Sequence, residues 1–122
     1  MAWNIDLFEG VEDEILRMPP KIQARMIKML ELIETHGANL GEPHTKSMGK
    51  GLFEIRAKAQ EGIGRSLFCY LNGKNIVILR AFVKKSQKTP KKELTLAINR
   101  MKKAKNEHLK ISQIKSPQRR GS

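Results

Sequence analysis

The feature that most constrains the fold is a run of three strand-like segments between residues 52 and 83. These segments are Leu52–Ala57, Ser66–Leu71 and Asn75–Val83, and all are rich in β-branched and aromatic residues. Asn72-Gly73 separates the last two segments, and this pair is typical of a tight hairpin whose central positions need positive φ. Because short links favour pairing between consecutive strands, the sequence predicts an antiparallel meander.

Helical periodicity flanks this sheet on both sides. Residues 9–17 and then Pro20 to Glu34 carry apolar residues at helical spacing, and Gly37 is a natural stop for the second helix. After the sheet, Pro90 is expected to open a final helix with Thr89 as its cap. Residues 3–8 read as a short opening strand and residues 38–51 as a loop. These elements predict one α+β domain.

Charge divides the chain into two parts. The net charge is +12: residues 1–83 hold 11 Lys/Arg against 10 Asp/Glu, whereas residues 84–122 hold 13 against 2. Since the apolar period fades near Lys105, we expect a folded domain over residues 1–104 and a basic, disordered tail over residues 105–122. The basic excess favours a polyanionic partner, nucleic acid before an anionic membrane, although a solvated tail would give the same charge.

The sequence gives little support for membrane, disulfide or metal chemistry. The first residues lack the basic start and the long apolar stretch of a secretory signal peptide. The longest apolar runs in the sequence are too short to cross a bilayer. The single cysteine, Cys69, lies in an apolar run and is interpreted as a packed thiol in a reducing compartment. His36, His44 and His108 have no metal-ligand spacing. We therefore expect a cytoplasmic protein without a metal, a cofactor or a membrane partner.

Cations are instead concentrated around the predicted sheet. Because Arg56 is expected to end the first strand and Arg65 to begin the second, these two should lie close together. The third strand runs in the same direction as the first, so Arg80 and the lysines after it should reach the same end. The cluster comprises three strand arginines and three loop lysines: Arg56, Arg65, Arg80, Lys84, Lys85 and Lys88.

Converging guanidinium and ammonium groups bind phosphate, although each cation alone is more often a solvated surface charge. RNA carries its own nucleophile, the 2′-hydroxyl. A protein can therefore cleave RNA without a metal if it aligns that hydroxyl, supplies a base and stabilises the developing charge. A lysine among other cations can act as the base.

Three segments resemble HigB toxins of the phage-protein-like branch of the RelE/ParE superfamily, over residues 20–104. They are Gly51–Arg56, Gly64–Tyr70 and Ile78–Pro90, and Phe82–Pro90 is the most specific of the matches. The resemblance implies a RelE-like α+β fold, in which two N-terminal helices pack on a small twisted antiparallel sheet with a C-terminal helix. It also implies a type II toxin that cleaves messenger RNA on the ribosome and a helix-turn-helix, HigA-like antitoxin encoded alongside.

The same resemblance implies roles for the basic residues. Arg65 would stabilise the scissile phosphate and Arg56 matches a basic strand position. The loop lysines Lys84, Lys85 and Lys88 match a basic loop in which one residue acts as acid or base.

Four further residues are candidates for RNA binding: Arg80, Tyr70, Phe82 and Lys50. The sequence departs from RelE at Glu54, where RelE has a basic residue, and Arg80 stands where this branch often has histidine. The last helix has no tyrosine to stack on a base, a role that Phe82 or Tyr70 would take. These departures leave the general base open.

Two other functions fit the same sequence. The ParE branch shares the fold but poisons DNA gyrase by protein contact, and it has no need of the basic loop at residues 84–88. A non-catalytic nucleic-acid-binding module would use residues 84–122 as an electrostatic arm. Aromatic residues for stacking on single strands are scarce, with one Trp, one Tyr and four Phe, which weakens the second alternative.

Overall fold

A computed structural model describes residues 3–41, 44–71, 73–84 and 88–120, without the side chains of residues 38, 39 and 108–120. The helices are α1 Val11–Leu16, α2 Pro20–His36 and α3 Lys91–Arg120, with a short 3₁₀ helix at Gly37–Leu40. The strands are β1 Asn4–Leu7, β2 Thr45–Gly49, β3 Leu52–Ala59, β4 Gly62–Tyr70 and β5 Asn75–Lys84.

The five strands form one sheet in the order β1-β5-β4-β3-β2. The predicted meander is confirmed as β3, β4 and β5, which pair antiparallel in sequence order. The sheet is mixed rather than wholly antiparallel, because β1, the first strand of the chain, pairs in parallel with β5, the last. The Asn72 half of the predicted hairpin turn lies outside the described residues, while Gly73 has the expected positive φ of 64°.

Strand β2 occupies part of the region that the sequence predicts to be a loop. Its residues are Thr45–Gly49, and Thr45 is the one that is buried. The strand pairs antiparallel with β3 and forms the edge of the sheet that the structure describes. A short, polar edge strand has no apolar alternation, so its pattern could not be recognised in the sequence.

Helices α1 and α2 cover one face of the sheet with an apolar core. The predicted stripe of α2 is confirmed, since Ile22, Met26, Met29 and Ile33 are fully buried. The helix lies close to β4 at Gly64, where an added Cβ would be 2.6 Å from the Cγ2 atom of Ile22. A larger residue at this position would push the helix away from the sheet.

Helix α3 covers the other face, but only in part. Its buried residues Ala97, Met101 and Ala104 pack on a second core that includes Leu67 and Cys69. The helix continues to Arg120 and does not end at residue 104, where the sequence predicts the folded domain to end. A separate role for residues 105–122 stays a prediction. No helix among the described residues is both long and apolar enough to cross a membrane.

A β-bulge in β5 changes which face its side chains reach. Leu67 of β4 pairs with Arg80, and the next residue, Phe68, pairs with Ile78. Leu79 therefore has no partner of its own, and the alternation shifts by one residue. As a result Leu79 packs in the core under α3, while Ala81, two residues later, packs in the core under α1 and α2.

Candidate functional site

The face that α3 partly covers carries a cross-strand row of charged and aromatic residues. Arg56 of β3 is the register partner of Arg65 of β4, which is in turn opposite Phe82 of β5. In the row nearest the strand ends, Lys58 of β3 and Lys84 of β5 lie on either side of β4. Since neighbouring strands are about 4.8 Å apart, the backbones of these lysines are separated by about 10 Å.

Glu54 is the centre of hydrogen bonding in this part of the sheet. Its buried carboxylate accepts a hydrogen bond from Arg56 Nε at 2.8 Å and lies 3.6 Å from Arg65 Nη1. Arg65 is fully buried as well, whereas 24% of the Arg56 side chain is exposed. The carboxylate compensates a buried cation that would otherwise be costly to desolvate. Of the two arginines, Arg56 is the one that a ligand can reach.

Thr89 fastens the basic loop to this carboxylate. Its buried hydroxyl donates a hydrogen bond to Glu54 and accepts one from Arg65 Nη1 at 3.0 Å. The adjacent Lys88 is exposed, as is Lys84 at the other end of the loop. Both ends of the loop are therefore held on the same part of the sheet. The sequence predicts that α3 begins at Pro90 with Thr89 as its cap, but the helix begins at Lys91, so Pro90 is the residue that precedes it. The Thr89 hydroxyl does not cap the helix and instead bonds to Glu54 and Arg65.

Arg80 is held by carboxylates from two helices. Its Nε donates to Glu93 of α3 at 2.7 Å, and its Nη1 lies 2.9 Å from Glu14 Oε2 of α1. Glu14 also accepts a hydrogen bond from the backbone N–H of Ala81 at 3.0 Å. This N–H lies beyond the part of β5 that β1 covers. Arg80 thus ties both helices to the bulge, and two carboxylates oppose its charge.

Arg65, which is fully buried, and Arg80, which is partly exposed, differ in their electrostatic surroundings. Burial lowers the pKa of Arg65, with Glu54 opposing this effect and Arg56 adding to it. The pKa of Arg80 is raised, first by its hydrogen bond to Glu93. Both groups stay protonated at neutral pH, because a guanidinium is too weak an acid to lose its proton in a protein. Neither arginine is therefore suited to accept a proton from a substrate.

The structure brings some of the sequence-predicted site residues together and separates others. Phe82 lies in the row with Arg65, and the Arg80 guanidinium is 5.8 Å from its ring centroid. Tyr70 lies on the opposite face, where it packs against Trp3 at a centroid distance of 4.8 Å. Lys50 is exposed in the β2–β3 turn, beyond the start of β3 rather than near its end.

The predicted strand ends require a correction. Arg56 and Arg65 were expected to flank a turn, but β3 continues to Ala59 and β4 begins at Gly62. The two arginines are therefore paired within the ladder, where a side chain is more easily buried than at a turn. Lys85 lies outside the described residues. The catalytic and RNA-binding roles expected from the sequence stay predictions.

Sequence reasoning missed the polar partners of the cations. Glu54 stood out as a departure from RelE, yet nothing in the pattern indicated that it would be buried between two arginines. Lys58 could have been found, since it lies two residues after Arg56 and shares its strand face. The pairing of Arg80 with Glu93 joins residues from different elements, so it carries no local signal.

The described side chains contain no group of three or more His, Cys, Asp or Glu residues arranged to hold a metal ion. The carboxylates of the site, Glu54, Glu14 and Glu93, are instead engaged with arginines. The chemistry that these side chains can offer is anion binding by Arg56 and the exposed lysines, supported by a buried ionic network.

Comparison with known proteins identifies the family. The profile of the family described as "Phage derived protein Gp49-like (DUF891)" matches residues 13–102, which include all of the site described above. The chain belongs to this family. A comparison with curated protein sequences gave no significant match.

Two solved structures show that this Gp49-like protein has a RelE-like α+β fold. A double-arginine mutant of the E. coli toxin RelE in the free state superposes with a TM-score of 0.62 at 14% identity, covering 82% of this chain and 98% of RelE. The toxin–antitoxin complex RelBE2 from Mycobacterium tuberculosis contains a chain that superposes with a TM-score of 0.53 at 17% identity. That alignment covers 69% of this chain and 100% of the other.

Proposed function

We propose that this Gp49-like protein is the toxin of a type II toxin–antitoxin system and acts as a metal-independent endoribonuclease on messenger RNA at the ribosome. The observation that carries the proposal is the group of cations on neighbouring strands around Arg56. The basic loop is held beside this group at both of its ends, by the pairing of Lys84 in β5 and by the hydrogen bond from Thr89 to Glu54. The fold shared with RelE supports it. Identity to RelE is low, so the proposal depends on the residues of this chain.

The proposed reaction uses the 2′-hydroxyl of the RNA as nucleophile. Its oxygen attacks the adjacent phosphorus while a base takes its proton, and the bond from phosphorus to the 5′-oxygen breaks. An acid protonates the leaving oxygen, so the products are a 2′,3′-cyclic phosphate and a 5′-hydroxyl. The reaction needs no water, metal or redox partner. It needs cations that hold the phosphate and stabilise its developing charge.

The accessible cations are the best candidates to contact that phosphate. The Arg56 side chain is 24% exposed, and Lys84 and Lys88 are exposed at the two ends of the basic loop. We assign acid–base work to the loop lysines Lys84, Lys85 and Lys88, as the family resemblance suggests, without choosing among them. A lysine side chain can donate hydrogen bonds to a phosphate and can serve as a general acid or base.

Arg65 is better suited to position other groups than to contact the phosphate in this conformation. Its buried guanidinium interacts with Glu54 and Thr89, which in turn hold Arg56 and the end of the loop. The direct role that the resemblance implies for Arg65 would require the side chain to become exposed. Arg80 is also a positioning residue, since Glu14 and Glu93 engage it.

We further propose that a helix-turn-helix, HigA-like antitoxin neutralises the protein. The support is the similarity of its fold to a chain of a toxin–antitoxin complex. Co-expression with the reading frame next to its own gene is expected to restore growth and to yield a complex that purifies as one species. Toxicity that persists with either adjacent frame would contradict this part of the proposal.

The decisive test is a pulse of expression in growing bacteria, followed by mapping of new messenger-RNA 5′ ends. We expect cuts within translated regions and in phase with codons. Arg56→Gln should reduce cleavage by about 100-fold, because loss of one charge-stabilising donor typically costs 10²–10³ in rate. Lys74→Gln is the matched control, since it also removes one positive charge but lies beside Trp3 in the β4–β5 turn.

The other outcomes identify the competing functions. Growth arrest without new 5′ ends would contradict the nuclease and favour a gyrase poison. Neither arrest nor cleavage, with RNA affinity lost on removal of residues 105–122, would favour a binding module. Cleavage that Arg56→Gln leaves unchanged would show that the site has been assigned to the wrong residues.

A further inference from the structure

A small cationic pocket lies next to the proposed nuclease site, at the edge of the sheet. It has a volume of about 150 Å³ and is lined by Arg25, His44, Arg56 and Lys58. These four lining residues, all from the described part of the chain, are of basic types, and no carboxylate is among them. The pocket is large enough for several water molecules, at about 30 Å³ each, or for one phosphate group.

The pocket exists because β2 is shorter than β3. Their pairing reaches Thr45 opposite Ile55, and the carbonyl of His44 then accepts a hydrogen bond from the Arg56 N–H at 2.9 Å. Beyond this bond β3 continues past Lys58. Helix α2 brings Arg25 to the same opening, one residue before the buried Met26.

Edge protection alone does not explain this arrangement. A lysine on an exposed strand edge is a common device against pairing with another chain, and that accounts for Lys58. It does not account for Arg25, which lies on a helix and not on the strand. The positive charges of Arg25, Arg56 and Lys58 repel one another, and this repulsion is a cost to the fold. The Glu54 carboxylate directly offsets the charge of Arg56.

We propose that this pocket binds a backbone phosphate of the RNA strand, adjacent to the phosphate that is cleaved. Arg56 belongs both to the pocket and to the cross-strand row, so the two sites are contiguous. Arg25 and Lys58 supply charge, and His44 supplies a ring nitrogen that can donate a hydrogen bond. The inference rests on the proposed function, in that RNA is taken as the substrate, but it does not require that cleavage occurs.

The first test is binding of a single-stranded 2′-O-methyl RNA oligonucleotide, whose blocked hydroxyl prevents cleavage. Arg25→Gln and Lys58→Gln are each expected to weaken binding about three- to tenfold at low salt, the range for removal of one accessible charged group. Each should also make the dependence of log affinity on log salt concentration shallower, by about 0.7 for each phosphate that the variant no longer neutralises. Lys74→Gln is the charge-matched control and should change affinity by less than about twofold.

A second test uses inorganic phosphate and amide NMR signals, at constant ionic strength. We expect phosphate to shift the signals of His44, Arg56 and Lys58 in the wild type, and to shift them less in Arg25→Gln. Shifts confined to Lys84 and Lys88, or affinities equal to that of the Lys74→Gln control, would overturn the inference. So would a wild type that does not bind the oligonucleotide at low salt.

The two proposals fail in different ways. If the wild type binds the oligonucleotide through this pocket but produces no new RNA ends in cells, the nuclease proposal is wrong and the phosphate-binding proposal is supported. If the wild type cleaves RNA, and Arg25→Gln and Lys58→Gln both bind and cleave it like the Lys74→Gln control, the phosphate-binding proposal is wrong and the nuclease proposal is supported.

Discussion

The two faces of the sheet are built on different physical principles. Under α1 and α2 the buried side chains are mainly apolar, and α2 alone buries four of them fully. Under α3 only one part of the face is apolar. The other part buries Glu54, Arg65, Thr89 and Glu93. One sheet thus carries an apolar core on one side and, on the other, a core that changes into an ionic network.

This difference separates the source of stability from the proposed site of function. Apolar burial is favourable without precise geometry, at about 25 cal/mol per Å². Buried ions are weak or neutral contributors to stability unless every charge is matched, but they hold side chains in defined positions. The ionic part of the α3 face therefore fits a role in orienting Arg56 and the basic loop rather than in holding the fold together.

The sharpest test of this contrast separates Glu54 from Arg65. Glu54→Leu should destabilise the fold by about 3–5 kcal/mol, because it leaves the Arg65 guanidinium buried without its carboxylate. Arg65→Met should cost less, because the Glu54 carboxylate keeps its hydrogen bonds from Arg56 and Thr89. Denaturant unfolding followed by circular dichroism measures both.

The double variant Glu54→Leu/Arg65→Met is the control for this prediction. It should cost much less than the sum of the two single changes, since replacing a whole buried pair by apolar residues is often close to neutral. RNA cleavage should nonetheless remain impaired, because Arg56 and Thr89 lose their common partner. Additive costs in the double variant would show that the pair is not coupled, and full cleavage would contradict its positioning role.

A cavity in the apolar core under α1 and α2 should lower stability but leave RNA cleavage unchanged. Met26→Ala removes a fully buried side chain beside Gly64 and should reduce the free energy of unfolding by about 2–5 kcal/mol. At a temperature where the variant is fully folded, its cleavage rate should equal that of the wild type. Ile27→Ala, at an exposed position of the same helix, is the matched control and should cost well under 1 kcal/mol. A folded Met26→Ala protein that fails to cleave RNA would contradict the division between the faces.

The apolar parts of the molecule were predictable from the sequence because their signals are local. The spacing of Ile22, Met26 and Met29 predicts the buried stripe of α2, and alternation with a turn signal predicts the central strands. The parallel pairing of β1 with β5 joins the first and last strands of the chain, and the edge strand β2 depends on its neighbour. Neither leaves a periodic pattern in its own segment.

The site was predictable only as a set of cations. That Arg56, Arg65 and Lys84 would share one part of the sheet followed from strand order and direction. Their exposure did not follow, because burial of Arg65 depends on Glu54 in the next strand and on Thr89, 24 residues away. Whether a cation is available to a ligand is decided by such long-range partners, which residue type alone does not reveal.

Cys69 gives the smallest effect and tests where the apolar part of the α3 face ends. Burial raises the pKa of its thiol from 9.0 to about 11, with Lys105 partly opposing the shift. Between pH 9 and pH 11 the unfolded chain loses the thiol proton before the folded protein does, so the folded state becomes less stable as pH rises. The loss should reach about 1–3 kcal/mol and level off above pH 11. The quantity to measure is the difference in unfolding free energy between the wild type and Cys69→Ala, because this difference cancels the contributions that the two proteins share. If the difference in unfolding free energy does not change with pH, solvent reaches the Cys69 thiol. The apolar part of the α3 face would then not include Cys69.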